Sequence, residues 1–377
     1  MEYSKRNRLL QALKCKKPDR VPIVVSRNIF DVNIFTTESS YANLIKHARL
    51  KTEALFKVHA GSIRYLDPFP RFNPHMAVSL EENNDGTTLV KAETPKGMLY
   101  KEMKNVAGTI PEVLKVTTRY FIQQKEDIDR YLSIPYDPAD IGVHDIGVAE
   151  QQTGNNGLVE VSLWDPLGAM CDQIQPEQFA VWSVLEKGLL KNFIEALHER
   201  IYEELKHLLE SGAGEIFYFN GPEFILPPNQ SPEAFDEYIV PYDTELVDLV
   251  HQFGKIAIMH SHGKVAQFID AFVNMGIDAL HPVEPPPMGD VDVKHVKQKY
   301  GNHLCLIGNI EYAELTNCEE EHIEKRVYQL IQDSGREGGL IVSPCSGLYE
   351  IPLPDKTARN YIAMMNAVHR YGTYSHL

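Results

Sequence analysis

The stretches EIFYFNGPE at residues 215–223, KIAIMHSHG at 255–263 and IDALHPVE at 277–284 decide how this chain folds. In each, a short apolar run passes into polar, glycine or proline residues. Continuous rather than alternating apolar runs are typical of strands buried on both faces, as in a parallel sheet covered by helices. The three stretches therefore predict parallel strands separated by helical connections.

Segments of the same form recur on both sides of these three. They are VPIVV at 21–25, FKVHAGSI at 56–63, LVEVSLWD at 158–165, HLCLIGN at 303–309 and GLIVSPCSG at 339–347. Helical patterns lie between most of them, so the chain predicts an α/β fold of the (β/α)8 TIM-barrel type. A doubly wound open sheet is the competing architecture, but no Gly-x-Gly-x-x-Gly turn follows any of these segments.

One region departs from this rhythm. Residues 84–103, NDGTTLVKAETPKGMLYKEM, hold turn signals at Asp85-Gly86 and at Pro95-Lys96-Gly97 between β-prone segments. We expect a β-hairpin insertion there, near the N-terminal third. No linker or repeat divides the chain, and a TIM barrel holds about 250 residues or more as one unit. We therefore expect residues 1–377 to form a single barrel domain.

The composition limits the classes of function. Lys and Arg number 37 against 52 Asp and Glu, which gives a formal net charge of -15, and 43% of the residues are hydrophobic. An acidic chain has no general basic surface for phosphate contacts, so we expect no nucleic-acid partner. No apolar run is long enough for a secretory signal or a bilayer span. We expect a cytoplasmic protein without membrane contact.

The active site of a TIM barrel lies at the C-terminal ends of its strands, where several polar residues follow the apolar runs. In His260-Ser261-His262-Gly263 the two imidazoles are two positions apart on an extended strand end and can face one point. Cys345 ends the eighth run. Two imidazoles and a thiolate suit Zn²⁺, with Glu223 as a fourth ligand or a partner of one. Hydrogen-bonded scaffold histidines and an ordinary buried thiol are the alternative.

Taken together, these segments resemble the uroporphyrinogen decarboxylase superfamily, particularly its zinc- and corrinoid-linked methyltransferase branch. The resemblance rests on Lys17-Pro18-Asp19-Arg20-Val21-Pro22, the hairpin insertion, Pro241-Tyr242, the histidine strand end, Gly308-Asn309 and Ser343-Pro344-Cys345-Ser346-Gly347. It implies a TIM barrel with zinc at its mouth, held by His260, His262 and Cys345.

The chain departs from the family in two places. Many relatives have His-x-Cys where this chain has His260-x-His262, so zinc here would keep more positive charge and polarise an ether oxygen better. The decarboxylases have an Arg-Gln-x-x-Arg segment after the first strand, where this chain has Ser26-Arg27-Asn28-Ile29-Phe30. A single arginine is poorly suited to a substrate with many carboxylates.

We therefore expect a zinc-dependent methyltransferase that demethylates a small methoxylated donor, with an aromatic donor favoured, and passes the methyl group to a corrinoid protein. No cobalamin-binding Asp-x-His-x-x-Gly motif occurs, so the corrinoid (cobalamin) must be carried by a partner. The alternatives are a uroporphyrinogen decarboxylase-type decarboxylase, a methylcobalamin:thiol methyltransferase and a non-catalytic partner-binding barrel. We also expect a homodimer, although the sequence does not fix the assembly state.

Two further groups of residues complete the predicted site. Asp67 and Asn220 join Glu223 as candidate catalytic groups, because their side chains can orient a substrate by hydrogen bonds. The expected substrate-binding residues are Tyr65, Trp164, Tyr218, Asn309 and Tyr349. The aromatic members would wall a flat ring, whereas packing in the barrel core is the alternative for each of them.

Overall fold

The computed structural model describes residues 3–25, 37–59, 77–109, 115–138 and 142–376. The strands in these ranges are β1 (Ala54–His59), β2 (Ala77–Glu82), β3 (Thr87–Thr94), β4 (Gly97–Asn105), β5 (Lys115–Arg119), β6 (Gly157–Trp164), β7 (Ile216–Asn220), β8 (Ile256–His260), β9 (Ala279–His281), β10 (Cys305–Ile310) and β11 (Leu340–Pro344). The α-helices are α1 (Lys5–Leu13), α2 (Ala42–Lys51), α3 (Lys125–Leu132), α4 (Val143–Thr153), α5 (Pro166–Cys171), α6 (Pro176–Leu185), α7 (Lys187–Glu210), α8 (Pro232–Tyr238), α9 (Val240–Gln252), α10 (Ile269–Asn274), α11 (Val293–Tyr300), α12 (Tyr312–Asn317), α13 (Glu320–Leu330) and α14 (Asp355–Tyr371).

Seven of the strands form one parallel sheet in the order β1, β6, β7, β8, β9, β10, β11. The predicted segment 21–25 lies between the two edge strands. Val24 donates its amide hydrogen to the carbonyl oxygen of Val342 on β11, and Glu53, just before β1, donates to the carbonyl oxygen of Ile23. All eight predicted strand segments thus take part in one curled α/β sheet, which is the arrangement of a TIM-like barrel.

Side chains alternate between two environments along each strand. On β8, Ile256 and Ile258 belong to a core inside the barrel, whereas Ala257 and Met259 belong to the core between the strands and the outer helices. Successive strand residues face opposite sides, so the last residue of β8, His260, continues the inner row. The same period of two carries one side chain from each of several strands into the mouth.

The predicted hairpin forms between β3 and β4, with antiparallel pairing from Thr87 opposite Lys104 to Thr94 opposite Gly97. Two strands that the sequence analysis did not predict, β2 and β5, pair on either side and complete a four-stranded antiparallel sheet. β2 has no apolar run, and its residues are almost all exposed, so its pattern gave no strand signal.

Charged residues at the N-terminal end of the barrel form what we call the Glu53 cluster, which consists of Arg8, Asp19, Arg20 and Glu53. The buried Glu53 carboxylate accepts hydrogen bonds from Arg8 Nη1 at 2.7 Å, Arg20 Nη2 at 2.6 Å and the amide of Ile23 at 2.8 Å. Arg8 also donates two bonds to Asp19. Every charge of the cluster therefore has an opposite partner. In the described part of the chain, no helix is both long and apolar enough to span a bilayer.

Candidate metal centre at the mouth of the barrel

His260 lies at the end of β8, opposite Asn220 on β7 and His281 on β9. Its Nδ1 atom lies 2.6 Å from the hydroxyl oxygen of Tyr218 and 2.9 Å from Nδ1 of His281. The Tyr218 hydroxyl is also 2.9 Å from His281 Nδ1, and the two imidazole rings are stacked with centroids 5.1 Å apart. The orientation of the His260 ring is therefore fixed through Nδ1.

His262 is fixed in the same way by an acidic residue. Its Nδ1 atom lies 2.8 Å from Glu284 Oε1, and the amide of Gly263 donates to Glu284 Oε2 at 2.6 Å. Gly263 has φ +89, a left-handed conformation that favours glycine and turns the chain after the strand. A carboxylate that accepts a hydrogen bond from one imidazole nitrogen is the usual support of a metal-binding histidine.

A third group of side chains completes the mouth. The ligand atoms of Glu284, Glu311 and Cys345 all lie within 4.8 Å of one another. These residues follow the ends of three consecutive strands, β9, β10 and β11, and their exposed fractions are 6%, 7% and 1%. Glu311 Oε1 is buried and meets no hydrogen-bond donor among the residues described. We call these three residues the donor set.

The donor set concentrates negative charge in a buried place. Burial, followed by the nearby carboxylates of Glu284 and Glu314, raises the pKa of Glu311 to about 7. Burial, again with the neighbouring carboxylates of Glu311 and Glu284, raises the pKa of the Cys345 thiol well above its usual value. A divalent cation would reverse both shifts, since it stabilises the deprotonated forms.

These residues fit zinc by the chemistry of their donor atoms. Zinc binds thiolate sulfur, imidazole nitrogen and carboxylate oxygen, most often four at a time. The predicted ligand Cys345 belongs to the donor set, and the predicted ligand His262 is hydrogen-bonded to it through Glu284. Neither predicted histidine is a member of the donor set. His260 is held by Tyr218 and His281, and its ring centroid lies 4.7 Å from that of His262.

The predicted ligand Glu223 lies on a short 3-10 turn, Pro222–Ile225, after β7. Burial raises the pKa of its carboxyl group, and its Oε2 atom is buried without a donor in the described ranges. The turn starts at Gly221, whose φ is +149 and whose added Cβ would lie 2.0 Å from Asp165 Oδ1. A side chain at position 221 would collide with Asp165, so only glycine fits there. The turn that carries Glu223 therefore packs directly against the Asp165 carboxyl group.

The other predicted site residues have different surroundings. Asn220 donates from Nδ2 to Ser162 Oγ and to the carbonyl oxygen of Leu163, while Lys57 Nζ lies 3.5 Å from its Oδ1. Asn309 is buried, and it donates to the carbonyl oxygen of Val283. Both amides are thus held by the barrel.

Among the predicted aromatic residues, Trp164 and Tyr349 are half-buried. Trp164 lies 5.9 Å from Phe224 and Tyr349 lies 4.9 Å from Tyr312, measured between ring centroids. Tyr218 is buried inside the barrel, where it supports His260. Tyr65 and Asp67 lie outside the described residues.

Three residues of the site were not predicted as functional. They are His281, Glu284 and Glu311. His281 and Glu284 stand at the end of a predicted strand, so the signal that selected His260 could have selected them. Glu311 lies two residues beyond the predicted run that ends at Asn309, and only the structure brings it beside Cys345.

The fold and the site define a TIM-like α/β barrel with a metal-type donor set at its mouth. The profile of the Uroporphyrinogen decarboxylase (URO-D) family matches residues 159–371, which is more than half of the chain. The protein belongs to this family. The matched range begins within β6 and includes β7 to β11, and therefore every described residue of the candidate metal centre.

Two similar proteins extend this finding. A uroporphyrinogen decarboxylase of Trichodesmium erythraeum (strain IMS101) is 25% identical over 155 residues, which cover 41% of this chain and 41% of that protein. The match thus spans less than half the length of this curated relative. The solved structure of a methyltransferase from Methanosarcina mazei has a TM-score of 0.64 with 16% identity, over 98% of this chain and 99% of that one. That likeness shows a shared fold across the whole chain.

Proposed function

We propose that the protein is a zinc-dependent methyltransferase that demethylates a small methoxylated aromatic compound and passes the methyl group to a corrinoid protein. The observation that carries the proposal is the donor set of Glu284, Glu311 and Cys345, with its unpartnered Glu311 oxygen, beside two oriented histidines. The fold shared with the Methanosarcina mazei methyltransferase supports the reaction class.

The proposed ligands are Cys345, Glu311 and the Nε2 atoms of His260 and His262. Each imidazole is held at Nδ1, by Tyr218 and His281 in one case and by Glu284 in the other, which directs Nε2 as the binding nitrogen. Glu284 already accepts two hydrogen bonds, so its part is to orient His262. When bound, zinc supplies a Lewis acid that stabilises negative charge on the ether oxygen as the methyl group leaves.

The chain itself would bind and position the methyl donor. The half-buried rings of Trp164 and Tyr349 offer flat apolar surfaces for an aromatic ring. Lys57 lies between Asn220 and the ring of Tyr218, with its ammonium nitrogen 4.7 Å from the ring centroid. A cation on this inner row of the barrel would attract a donor whose oxygen becomes negative. The acceptor cobalt would come with the partner protein, which we take to be a cytoplasmic corrinoid carrier.

A methyl-transfer assay tests the proposal. The zinc-loaded protein is mixed with 2-methoxyphenol and Co(I) cobalamin, and methylcobalamin formation is followed by absorbance. We expect transfer by the wild type and by Cys318→Ala, a control thiol away from the donor set, and loss of both zinc and transfer in Cys345→Ala. Transfer at the wild-type rate by Cys345→Ala stripped of metal would contradict the proposal.

Decarboxylation is the second candidate, and the match to the Uroporphyrinogen decarboxylase family favours it. This reaction needs no zinc, so the two candidates differ in metal dependence. Incubation of the metal-free protein with uroporphyrinogen, followed by chromatography of the oxidised porphyrins, separates them. Loss of carboxylate groups without metal would establish the decarboxylase and refute the methyltransferase, whereas unchanged substrate leaves methyl transfer as the activity.

A further inference from the structure

A cavity lies at the opposite end of the barrel from the metal centre. It has a volume of about 400 Å³, and its lining includes Ala54, the first residue of β1, and Asn156, the residue before β6. Strands begin at the N-terminal end of the barrel, so this cavity has no wall in common with the mouth. Its size falls within the usual range of about 300–1,000 Å³ for small-molecule sites.

The charged residues of the cavity lining are both cationic. Lys5 donates one ammonium hydrogen to the carbonyl oxygen of Arg49 at 2.7 Å, which leaves two further donors. The Arg49 guanidinium has no hydrogen bond or ion pair with the residues that the structure describes, so all five of its donors are available to a ligand. Glu53, the acid whose charge acts on Lys5, already accepts hydrogen bonds from Arg8 and Arg20.

Uncharged polar residues stand beside these two cations. Thr153, the last residue of α4, forms part of the wall, and its hydroxyl oxygen is buried away from the cavity surface. The side-chain amides of Gln152 and Asn156 line the same cavity, and Phe56 adds an apolar wall.

The environment of Lys5 supports the same conclusion. Burial lowers the pKa of its ammonium group, and the nearby positive charges of Arg20 and Arg8 lower it further. The negative charge of Glu53 raises this pKa but does not outweigh the burial. The positive charge of Lys5 is therefore incompletely compensated in the ligand-free protein. An anion in the cavity would supply that compensation.

We propose that this cavity binds the phosphate group of a small phosphorylated molecule. Arg49 would hold the phosphate through two parallel N–H donors, which is the geometry that guanidinium and phosphate share, while Lys5 and the side-chain amides of Gln152 and Asn156 complete the contacts. Phe56 would pack against the organic part of the ligand. The site is separate from the metal centre and does not depend on the proposed methyl transfer.

Calorimetric titration with two probes tests the site and distinguishes free phosphate from an organic phosphate. Inorganic phosphate and phenyl phosphate are titrated into the full-length protein at low salt. We expect both to bind, with phenyl phosphate tighter because Phe56 adds an apolar contact. Equal affinities would assign the site to free phosphate and overturn the organic part of the proposal. Absence of binding by both probes up to about 10 mM, beyond the range of ordinary metabolite sites, would overturn the proposal entirely.

Three variants make the result specific. Arg49→Gln should weaken phenyl phosphate binding by about 10–100-fold, the usual value of a hydrogen bond to a charged group, and Lys5→Met, which removes the ammonium donors, should weaken it by about tenfold. Lys46→Gln, an exposed cation on the same helix α2 but outside the lining, is the matched control and should bind like the wild type. Unchanged affinity in Arg49→Gln would refute the site. Zinc content should be unaffected in all three variants, so a failure here is separable from a failure of the proposed function.

Discussion

Buried acidic residues have charged partners at one end of the barrel and lack them at the other, among the residues that the structure describes. At the N-terminal end, the carboxylate of Glu53 is met by Arg8, Arg20 and a backbone amide, so its charge is compensated within the fold. At the mouth, the Glu311 carboxyl group lies close to the Cys345 thiol, and Glu311 Oε1 meets no donor in the described structure. The pKa of the Glu311 carboxyl group and that of the Cys345 thiol are both raised. A buried charge that is paired within the fold is typical of a structural role. A buried charge without a partner indicates a site where a ligand or metal ion supplies the compensating charge.

The largest effect should come from removing the centre of the compensated end. Glu53→Gln leaves Arg8 and Arg20 without their shared carboxylate, and breaking a buried ion pair from one side costs about 3–5 kcal/mol. Urea unfolding measures the free energy of unfolding. Glu337→Gln, which breaks the exposed pair with Lys17, is the control and should cost at most about 1 kcal/mol. Equal losses in the two variants would remove the contrast between paired and exposed charge.

A second effect concerns the support of His262. Glu284→Gln removes the carboxylate that orients the imidazole, and loss of such an outer partner weakens metal binding by about 10–100-fold. Competition with a chromogenic zinc chelator measures the affinity. Glu319→Gln, an exposed acid paired with Lys356, should keep the wild-type affinity. Wild-type affinity in Glu284→Gln would show that Glu284 has no part in the metal centre.

A third effect tests a buried acid pair beneath the turn that carries Glu223. Asp165 and Asp243 are almost fully buried; burial raises the pKa of both carboxyl groups, and the nearby Asp243 charge adds to the shift at Asp165. A raised pKa means that the folded state holds a proton that the unfolded state releases, so the wild type should lose stability as pH rises above about 4.

The variant Asp243→Asn removes this titration, because a neutral amide can donate to Asp165. At pH 8 we expect the variant to melt a few degrees above the wild type, which corresponds to about 1–2 kcal/mol in the free energy of unfolding. At pH 5 the two melting temperatures should be closer. Asp236→Asn, an exposed position on the preceding helix α8, should leave the pH dependence unchanged. A parallel pH profile for wild type and Asp243→Asn would contradict the shared proton.

The smallest expected effect also has the opposite sign from Glu53→Gln. In the metal-free protein, Glu311 has a pKa of about 7 in the folded state, above its ordinary value, so its contribution to stability falls as pH rises through that range. Glu311→Gln should therefore stabilise the metal-free protein at pH 8, by about 1 kcal/mol, while weakening zinc binding. Destabilisation measured by urea unfolding would mean that Glu311 is already compensated within the fold.

Most of the fold was predictable because its signal is local. Continuous apolar runs defined the strands, and the period of two carried His260 and the buried Tyr218 to the inner row. The extra strands β2 and β5 were not predicted, because β2 is almost wholly exposed and lacks an apolar run.

The partners within the site were less accessible to sequence reasoning. Strand ends indicated His260, His262 and Cys345, but not which neighbours hold them, since that depends on the register between strands. The contact of Glu284 with His262 joins the ends of β8 and β9, and that of Glu311 with Cys345 joins the ends of β10 and β11. The spacing of these residues along the chain does not predict either contact.

We expect Glu311 and Cys345 of the donor set to bind a divalent metal ion, and anomalous diffraction tests this most directly. Crystals of the zinc-loaded protein are measured on both sides of the zinc absorption edge. We expect an anomalous peak within bonding distance of Cys345 Sγ and Glu311, present above the edge and weak below it. A map with no peak at the mouth, from crystals whose protein retains zinc in solution, would contradict it.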